Sequence, residues 1–345
     1  MQKTVTKLLL TTVPGIEDLL LEEVTRYLAG KTDIEMGRVL FSCTKALTTK
    51  ELSFLISQLA LVEKAYVILV DTLVDDLNDV KASIEGILDT LKELLYPSAS
   101  FAVKAERVGE FNFTSIDLAR EVGSMIQNII FHPPVSLDDP DMLFYAEVVE
   151  GKFRFGIDLS PFVSLRDRGY RVYVHPSTLN PIVARALCRI ARLRDGEFLL
   201  DPMCGGGTIL IEGLLEARAL GLGLDIRKNH INGAKLNARR AGVNAEFGVA
   251  DIRMLSSTLR QVVDVIATNP PYGIREKAVG GLKNVYESLF NGARELLKEG
   301  GRLALLSPLK NTVINLAEKT PSLVLISCRQ IALGGLKSYI FLYER

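Results

Sequence analysis

The second half of the chain alternates short apolar runs with amphipathic stretches, and this pattern constrains the fold more than any other feature. The apolar runs end, in order, at Asp201, Asp225, Val249, Thr268 and Ser307. Apolar strands that alternate with helices form parallel sheets covered on both faces. The segment therefore predicts an α/β fold with a doubly wound sheet. Two further strands, 323–333 and 338–343, predict an antiparallel hairpin at its edge.

The first half predicts a separate α+β region. Alternating and apolar runs predict strands at 7–12, 65–71, 101–105, 142–149 and 152–158. Helical periodicity covers 16–28, 80–95 and 115–130. A connector rich in proline, glycine and arginine follows, and Asn180-Pro181 then opens the next helix as N-cap and first residue.

Composition excludes several classes of protein. The 345 residues hold 41 basic and 41 acidic side chains, so a uniformly basic nucleic-acid binder is excluded, although a local basic face is not. Four scattered cysteines without a CxxC pair, and only three histidines, argue against a structural metal and for a reducing compartment. No apolar run approaches the length of a membrane span. We expect a cytoplasmic protein with no metal and no membrane partner.

A glycine-rich loop follows the first strand of the predicted parallel sheet. Its sequence, Asp201-Pro-Met-Cys-Gly-Gly-Gly-Thr208, lets the backbone approach a ligand and precedes a helix N-terminus. The loop lacks the Lys-Ser/Thr of a Walker loop and the spacing of GxGxxG. Ligand binding is one interpretation, and a tight turn without a ligand is the other.

Two acidic residues stand at the ends of the next two strands. Asp225 could accept hydrogen bonds from both ribose hydroxyls of a nucleoside, and its alternative role is a helix cap. Asp251 could meet the exocyclic amine of an adenine, and a turn or capping role explains it equally well.

The tetrapeptide Asn269-Pro270-Pro271-Tyr272 is the most specific motif in the chain. The prolines remove two N–H donors and fix the backbone, which leaves carbonyl groups available as acceptors. Together with the Asn269 side chain they can hold both hydrogens of an exocyclic amine, and Tyr272 offers a face for stacking. A Pro-Pro turn with a buried tyrosine is the structural alternative.

In this order, the motifs resemble those of class I S-adenosylmethionine-dependent methyltransferases that act on amino groups. The resemblance implies a Rossmann-like domain with a seven-stranded, mostly parallel sheet and a terminal antiparallel hairpin. It assigns amine binding and catalysis to Asn269, Pro270, Pro271 and Tyr272. It assigns contacts with S-adenosylmethionine to Asp201, Met203, Cys204, Gly205, Gly207, Thr208, Asp225, Ile226, Asp251, Ile252 and Asn269. Cys204 is not expected to act as a nucleophile, because a reactive thiolate needs a nearby cation.

The first half of the chain indicates which amine group the tetrapeptide would bind. Segments 101–107, 111–123 and 155–160 resemble the THUMP RNA-binding domain, and 13–17 resembles the ferredoxin-like domain that precedes it. Segments 168–171 and 175–176 resemble the connector of guanine-N2 methyltransferases. The resemblance implies a ferredoxin-like domain at 1–60, a THUMP domain at 61–160, a linker at 161–177 and the methyltransferase domain at 178–345.

This resemblance implies N2-methylation of a guanosine in tRNA. Asn269 preceded by Thr268 resembles the branch that acts at position 6 of the acceptor stem, whereas the branch for position 10 usually carries Asp there. The alternatives are position 10, ribosomal RNA, DNA adenine, and a THUMP protein that binds RNA without catalysis. We expect a monomer that grips the acceptor stem and 3′ end of tRNA. Phosphate contacts are expected, as a group, from Lys104, Arg107, Arg120, Arg166, Arg168, Arg171 and Arg275.

Overall fold

The protein divides into two compact units. The computed structural model describes residues 6–96, 98–129, 132–160, 168–257, 262–273 and 281–345. The first unit comprises Met1–Thr11 and Val24–Leu165, and the second comprises Thr12–Glu23 and Arg166–Arg345. Among the described residues, no helix is long and apolar enough to cross a membrane.

A seven-stranded sheet with helices on it accounts for the first half of the chain. The strands are β1 (Lys7–Thr11), β2 (Gly30–Glu35), β3 (Arg38–Cys43), β4 (Lys64–Leu73), β5 (Phe101–Val108), β6 (Met142–Val149) and β7 (Lys152–Asp158). The helices are α1 (Glu17–Thr25), α2 (Thr49–Gln58), α3 (Leu77–Glu85), α4 (Leu88–Leu94) and α5 (Ser115–Gln127). The strand order is β2-β3-β1-β4-β7-β6-β5, and only the β5–β6 pair is parallel.

The start of this sheet has the ferredoxin-like arrangement. The elements run β1-α1-β2-β3-α2-β4, with strand order β2-β3-β1-β4. β4 completes this pattern and also pairs with β7 of the following segment. The last strand of this arrangement, β4, ends at Leu73. The domain boundaries at 60, 160 and 177 stay predictions.

Three features of the first unit differ from the sequence prediction, and one of them is helix α2, which was not predicted. The single helix expected at 80–95 is two helices, because α3 ends at the cap Gly86 and α4 begins at Leu88. Glycine costs a helix interior about 1 kcal/mol relative to alanine, which favours a break at this position. The β2–β3 hairpin was not predicted, since nearly all of β2 is exposed and carries no alternating pattern.

The second unit is a doubly wound sheet, as predicted. Its strands are β8 (Phe198–Asp201), β9 (Leu220–Asp225), β10 (Glu246–Val249), β11 (Val263–Thr268), β12 (Leu297–Ser307), β13 (Val324–Leu333) and β14 (Leu336–Glu344). Its helices are α6 (Pro181–Ile190), α7 (Thr208–Glu216), α8 (Lys228–Ala241), α9 (Leu282–Leu296) and α10 (Lys310–Glu318), with a 3₁₀ helix at Ile252–Ser257. Asn180 caps α6 by accepting a hydrogen bond from the backbone N–H of Ile182.

The strand order β10-β9-β8-β11-β12-β14-β13 fixes where a ligand can bind. β8 to β12 are parallel, and β14 runs antiparallel between β12 and β13. The chain winds outward from β8 to β10 and then returns to β11 on the other side of β8. Such a reversal opens a crevice at the carboxyl ends of the central strands, where open α/β sheets bind their ligands.

The segment Thr12–Glu23 clusters with the second unit although it lies early in the chain. Pro14 accepts a backbone hydrogen bond from Ala332 at 3.0 Å. Glu23 is buried and lies 2.6 Å from the Arg189 guanidinium. The resemblance places this segment in the ferredoxin-like domain alone, since nothing local in its sequence indicates contacts with residues far along the chain.

Candidate active site

The glycine loop begins at a buried carboxyl group. Asp201 is 1% exposed, and its Oδ1 accepts hydrogen bonds from Met203 N at 3.2 Å and from Thr268 Oγ1 at 2.8 Å. Burial is the main cause that raises the pKa of Asp201 to about 7, and the charge of Asp225 adds to it. The Thr268 bond ties the ends of β8 and β11 together, so the loop and the tetrapeptide share one anchor.

Glycine is required where the loop turns into α7. Gly207 has φ of 81°, and a Cβ there would lie 3.1 Å from the Ala234 side chain. Cys204 N donates to Leu224 O at 2.8 Å, which holds the loop against β9. Thr208 is buried at the first turn of the helix, and Met203 packs partly against the apolar core. The loop is thus a close-packed backbone turn beside a helix N-terminus.

Asp225 connects this loop with β9 and α8. Its Oδ2 accepts from Gly205 N at 2.9 Å and lies 3.3 Å from Nδ1 of the buried His230. Its Oδ1 accepts from Arg227 N at 2.8 Å. The helix-cap role given as the alternative is not observed, because the N-cap residue of α8 is Arg227 and the Asp225 bond to its N–H is a local turn before the helix begins. The adjacent Ile226 is 41% exposed and offers an apolar surface at the same strand end.

Cys204 lies in an environment that keeps its thiol protonated. The side chain is buried, and its Sγ lies 3.7 Å from Gly205 O. Burial, with the charges of Asp201 and Asp225, raises the pKa of the Cys204 thiol well above its ordinary value. Reactive thiolates need the opposite surroundings.

Asp251 is paired with its neighbour Arg253. The Arg253 Nε lies 2.9 Å from both carboxylate oxygens of Asp251. This pairing lowers the pKa of the Asp251 carboxyl group. Ile252, which begins the 3₁₀ helix, is 8% exposed. An adenine amine would therefore meet a carboxylate that already has a guanidinium partner.

The tetrapeptide stands at the carboxyl end of β11. Asn269 is half-buried and Pro270 is buried. The Tyr272 hydroxyl donates a hydrogen bond to Asn269 Oδ1. Burial raises the pKa of Tyr272 far above its usual range, so the hydroxyl stays protonated. The amide oxygen expected to hold the target amine therefore has a donor in this structure.

A cluster of aromatic and imidazole rings that was not predicted from the sequence lies beside the glycine loop. The His175 and His230 rings stack with centroids 4.4 Å apart, and Tyr173 packs against both. Asn237 Nδ2 donates to Gly206 O and to Tyr173 O, each at 2.9 Å. The only signal in the sequence was the resemblance of 175–176 to the guanine-N2 connector. Asn237 thus holds the loop at Gly206, and His230 lies against Asp225.

The predicted phosphate contacts are spread over both units. Lys104 and Arg120 are exposed, and Arg107 donates to Gly109 O at 2.8 Å. Arg168 Nε lies 3.3 Å from Oε1 of the buried Glu212, so its charge is engaged within the second unit. Arg171 is half-buried. Arg166 and Arg275 lie outside the described residues. Among the described residues, no cluster of side chains could hold a metal ion.

Comparison with protein families identifies a known domain in each half of the chain. Residues 168–338 match the family described as RMKL-like, methyltransferase domain, and residues 76–158 match the THUMP domain. The chain is 30% identical to the tRNA (guanine(6)-N2)-methyltransferase of Archaeoglobus fulgidus, over 96% of this chain and 91% of that protein. The chain belongs to the THUMP-containing tRNA (guanine-N2)-methyltransferase family.

Two further comparisons agree with this assignment. The crystal structure of TrmN from Thermus thermophilus is similar over 99% of each chain, with a TM-score of 0.78 and 28% identity. The tRNA (guanine(10)-N2)-dimethyltransferase of Methanocaldococcus jannaschii is 29% identical over 72% of this chain and 73% of that protein. The protein is thus a methyltransferase with a THUMP domain, and the Rossmann-like fold predicted for its second half is confirmed.

Proposed function

We propose that this methyltransferase transfers a methyl group from S-adenosylmethionine to N2 of the guanosine at position 6 in the acceptor stem of tRNA. One observation carries the proposal: the amine-binding tetrapeptide and the glycine loop are anchored to each other by the Thr268–Asp201 hydrogen bond at 2.8 Å. Position 6 is supported by the Archaeoglobus relative, which resembles this chain over nearly its full length.

The residues at the strand ends fit S-adenosylmethionine. A loop with glycines in the left-handed region at Gly205 and Gly207, with a helix N-terminus behind it, suits the methionine part. The Asp225 carboxylate and the exposed Ile226 side chain suit a ribose and an adenine ring. When bound, the cofactor supplies a sulfonium methyl group that is already activated, so the protein needs to supply no metal.

The protein's part in the reaction is to position a poor nucleophile. The lone pair of guanine N2 is spread into the ring. Asn269 Oδ1 and the Pro270 carbonyl would accept its two hydrogens, which aims the nitrogen and offsets the positive charge that develops on it. Tyr272 would stack on the base after it leaves the helix. Asn269 Oδ1 must exchange the Tyr272 hydroxyl for the amine when the base enters.

RNA recognition is assigned to both units. We propose that Lys104, Arg107 and Arg120 of the first unit contact phosphates near the 3′ end of tRNA, together with Arg166, Arg168, Arg171 and Arg275. The exposure of Lys104 and Arg120 supports this assignment. The protein is proposed to act as a monomer in the cytoplasm, and light scattering during gel filtration tests the oligomeric state.

The test uses unmodified tRNA transcripts and labelled S-adenosylmethionine, followed by nuclease digestion and mass mapping. A matched transcript replaces the guanosine at position 6 by adenosine, with its pairing partner changed to uridine, and keeps the guanosine at position 10. Labelled N2-methylguanosine in the first transcript alone supports the proposal. Label at position 10 overturns the assignment to position 6. Label only in ribosomal RNA or DNA overturns tRNA as the substrate. Cofactor binding without transfer to any of them indicates an RNA-binding protein without catalysis.

A further inference from the structure

We propose that Lys310, Lys337 and Tyr339 form a binding site for a phosphate of the substrate RNA, beside the catalytic tetrapeptide. This inference rests on the proposed function, because it takes the substrate to be RNA. It adds a contact surface in the second unit that neither the tetrapeptide nor the cofactor loop includes.

An aromatic ring gathers two positive charges at this place. Lys310 Nζ lies 5.1 Å from the centroid of the Tyr339 ring, and Lys337 Nζ lies 5.9 Å from it. Both distances are within the range of cation–π attraction. Tyr339 is half-buried against the apolar core, so its ring is a fixed support. Both lysines are exposed, and their ammonium groups can reach a ligand from solvent.

The two charges have no acidic partner. Within the part of the chain that the structure describes, no carboxylate lies within 4 Å of Lys310 Nζ or Lys337 Nζ. The nearby strand β12 shows the usual arrangement, since Lys298 Nζ lies 2.8 Å from Asp264. Two like charges near one ring without a counterion repel each other, and a bound anion reduces that repulsion.

A helix N-terminus adds donors to the same site. Lys310 is the first residue of the nine-residue helix α10, and the N-cap residue Leu309 makes no side-chain capping bond. The Ser307 hydroxyl, which could have capped the helix, accepts instead from Leu309 N at 3.1 Å. Lys310 N donates to Pro308 O at 3.0 Å, so the N–H groups available to an anion are those of the next residues in the first turn, where the helix dipole favours negative charge.

The strand register places the site near the reacting base. Thr268, which precedes the tetrapeptide, pairs with Leu305 on β12. Ser307, two residues further along β12, pairs with Tyr339 on β14. With neighbouring strands about 4.8 Å apart, Tyr339 lies roughly 10 Å across the sheet from the end of β11. This is on the order of the spacing between a nucleotide and its neighbour's phosphate in an RNA strand.

The chemistry of the site suits a phosphodiester. Two ammonium groups and free N–H groups are all donors, and ammonium groups bind phosphate oxygens as point charges without demanding a fixed orientation. The Tyr339 ring face is directed at the lysines, which argues against a base stacked in their place. The contact would therefore be independent of sequence and would hold the strand from which the target nucleotide is displaced.

Binding of tRNA to the full chain as a function of salt tests the proposal. The variant K310A/K337A should bind tRNA roughly tenfold more weakly at low salt, and its plot of log Kd against log salt should be shallower by about one to two. Its KM for tRNA should rise with little change in kcat, and its affinity for S-adenosylmethionine should be unchanged. K319A, at the other end of α10, is the matched control and should bind like the unchanged protein.

Two variants of Tyr339 test whether its ring is needed to hold the two lysine charges in place. Tyr339→Phe keeps the ring and should keep the salt dependence, whereas Tyr339→Leu should reproduce part of the K310A/K337A effect. The inference is overturned when K310A/K337A and K319A bind tRNA with the same salt dependence, although the unchanged protein binds and methylates it. The proposed function fails instead when the unchanged protein methylates no tRNA, while the salt comparison still reports on the phosphate site. Absence of tRNA binding by the unchanged protein overturns both.

Discussion

The Tyr272 hydroxyl donates a hydrogen bond to Asn269 Oδ1, the atom that we assign to the target amine. The tyrosine hydroxyl thus donates to the same acceptor atom that we assign to the amine. Because burial keeps this hydroxyl protonated, it can only be displaced, and it does not lose the bond by titrating near neutral pH.

Removing the hydroxyl while keeping the ring should therefore preserve catalysis. Tyr272→Phe frees Asn269 Oδ1 and retains the stacking face, so we expect kcat within a few-fold of the unchanged protein. Tyr272→Ala removes the face, and loss of base stacking costs about 1–3 kcal/mol, or roughly 5- to 150-fold in kcat/KM. Steady-state kinetics on tRNA measure both. A Phe variant as impaired as the Ala variant would assign the essential role to the hydroxyl.

Asn269 should be essential for transfer, and its contact with the cofactor should contribute little to cofactor affinity. Loss of one oriented group that stabilises developing charge costs roughly 10²–10³ in kcat, so Asn269→Ala should fall by at least that factor. Calorimetry should find its affinity for S-adenosylmethionine within a few-fold of normal. Asn244→Ala, at an exposed position, is the control. Normal turnover by Asn269→Ala would remove the tetrapeptide from the mechanism.

Asp225 has two roles that substitution can separate. Its carboxylate accepts from Gly205 N and Arg227 N, and we assign the ribose hydroxyls to the same group. Hydrogen bonds to a charged group are worth about 1.5–3 kcal/mol, so Asp225→Ala should weaken cofactor binding by roughly 10- to 150-fold. Asp225→Asn keeps an acceptor for the backbone and should bind with intermediate affinity. Unchanged cofactor affinity in Asp225→Ala would leave the residue with only its backbone hydrogen bonds to Gly205 and Arg227.

Local sequence patterns were sufficient to predict the sheet of the second unit. All five predicted strand ends, from Asp201 to Ser307, agree with the structure, because a polar or turn residue after an apolar run marks the end of a buried strand. Strand β2 was not predicted, since a strand exposed on both faces carries no hydrophobic period.

The contacts inside the site could not be derived in the same way. The hydrogen bond from Thr268 to Asp201 joins residues 67 positions apart and depends on the register of β8 with β11. The approach of His230 to Asp225 depends on how α8 packs beside β9. Sequence patterns identify the residues at the carboxyl ends of strands, and only the fold determines which of them share a hydrogen bond.

The buried Asp201 carboxyl group should make the free energy of unfolding depend on pH. Its pKa is about 7 in the folded protein against an ordinary value of 3.8. Below about pH 4 the group is protonated in both states. Between about pH 4 and 7 only the unfolded chain releases the proton, so its contribution to stability is lost as the pH rises through this window.

Asp201→Asn should remove the loss of stability that accompanies the rise in pH. The amide oxygen can still accept from Thr268 Oγ1 and Met203 N, and it carries no charge to bury. Relative to the unchanged protein, the variant should therefore gain stability from pH 4 to 8, by up to about 4 kcal/mol for a shift of three pKa units. Urea unfolding of the cofactor-free protein followed by circular dichroism measures this, since the chain has no tryptophan. Asp195→Asn, at an exposed position of the same unit, is the control, and its free energy of unfolding relative to the unchanged protein should not vary with pH. If the difference in the free energy of unfolding between Asp201→Asn and the unchanged protein did not vary with pH, Asp201 would be ionised in the folded protein.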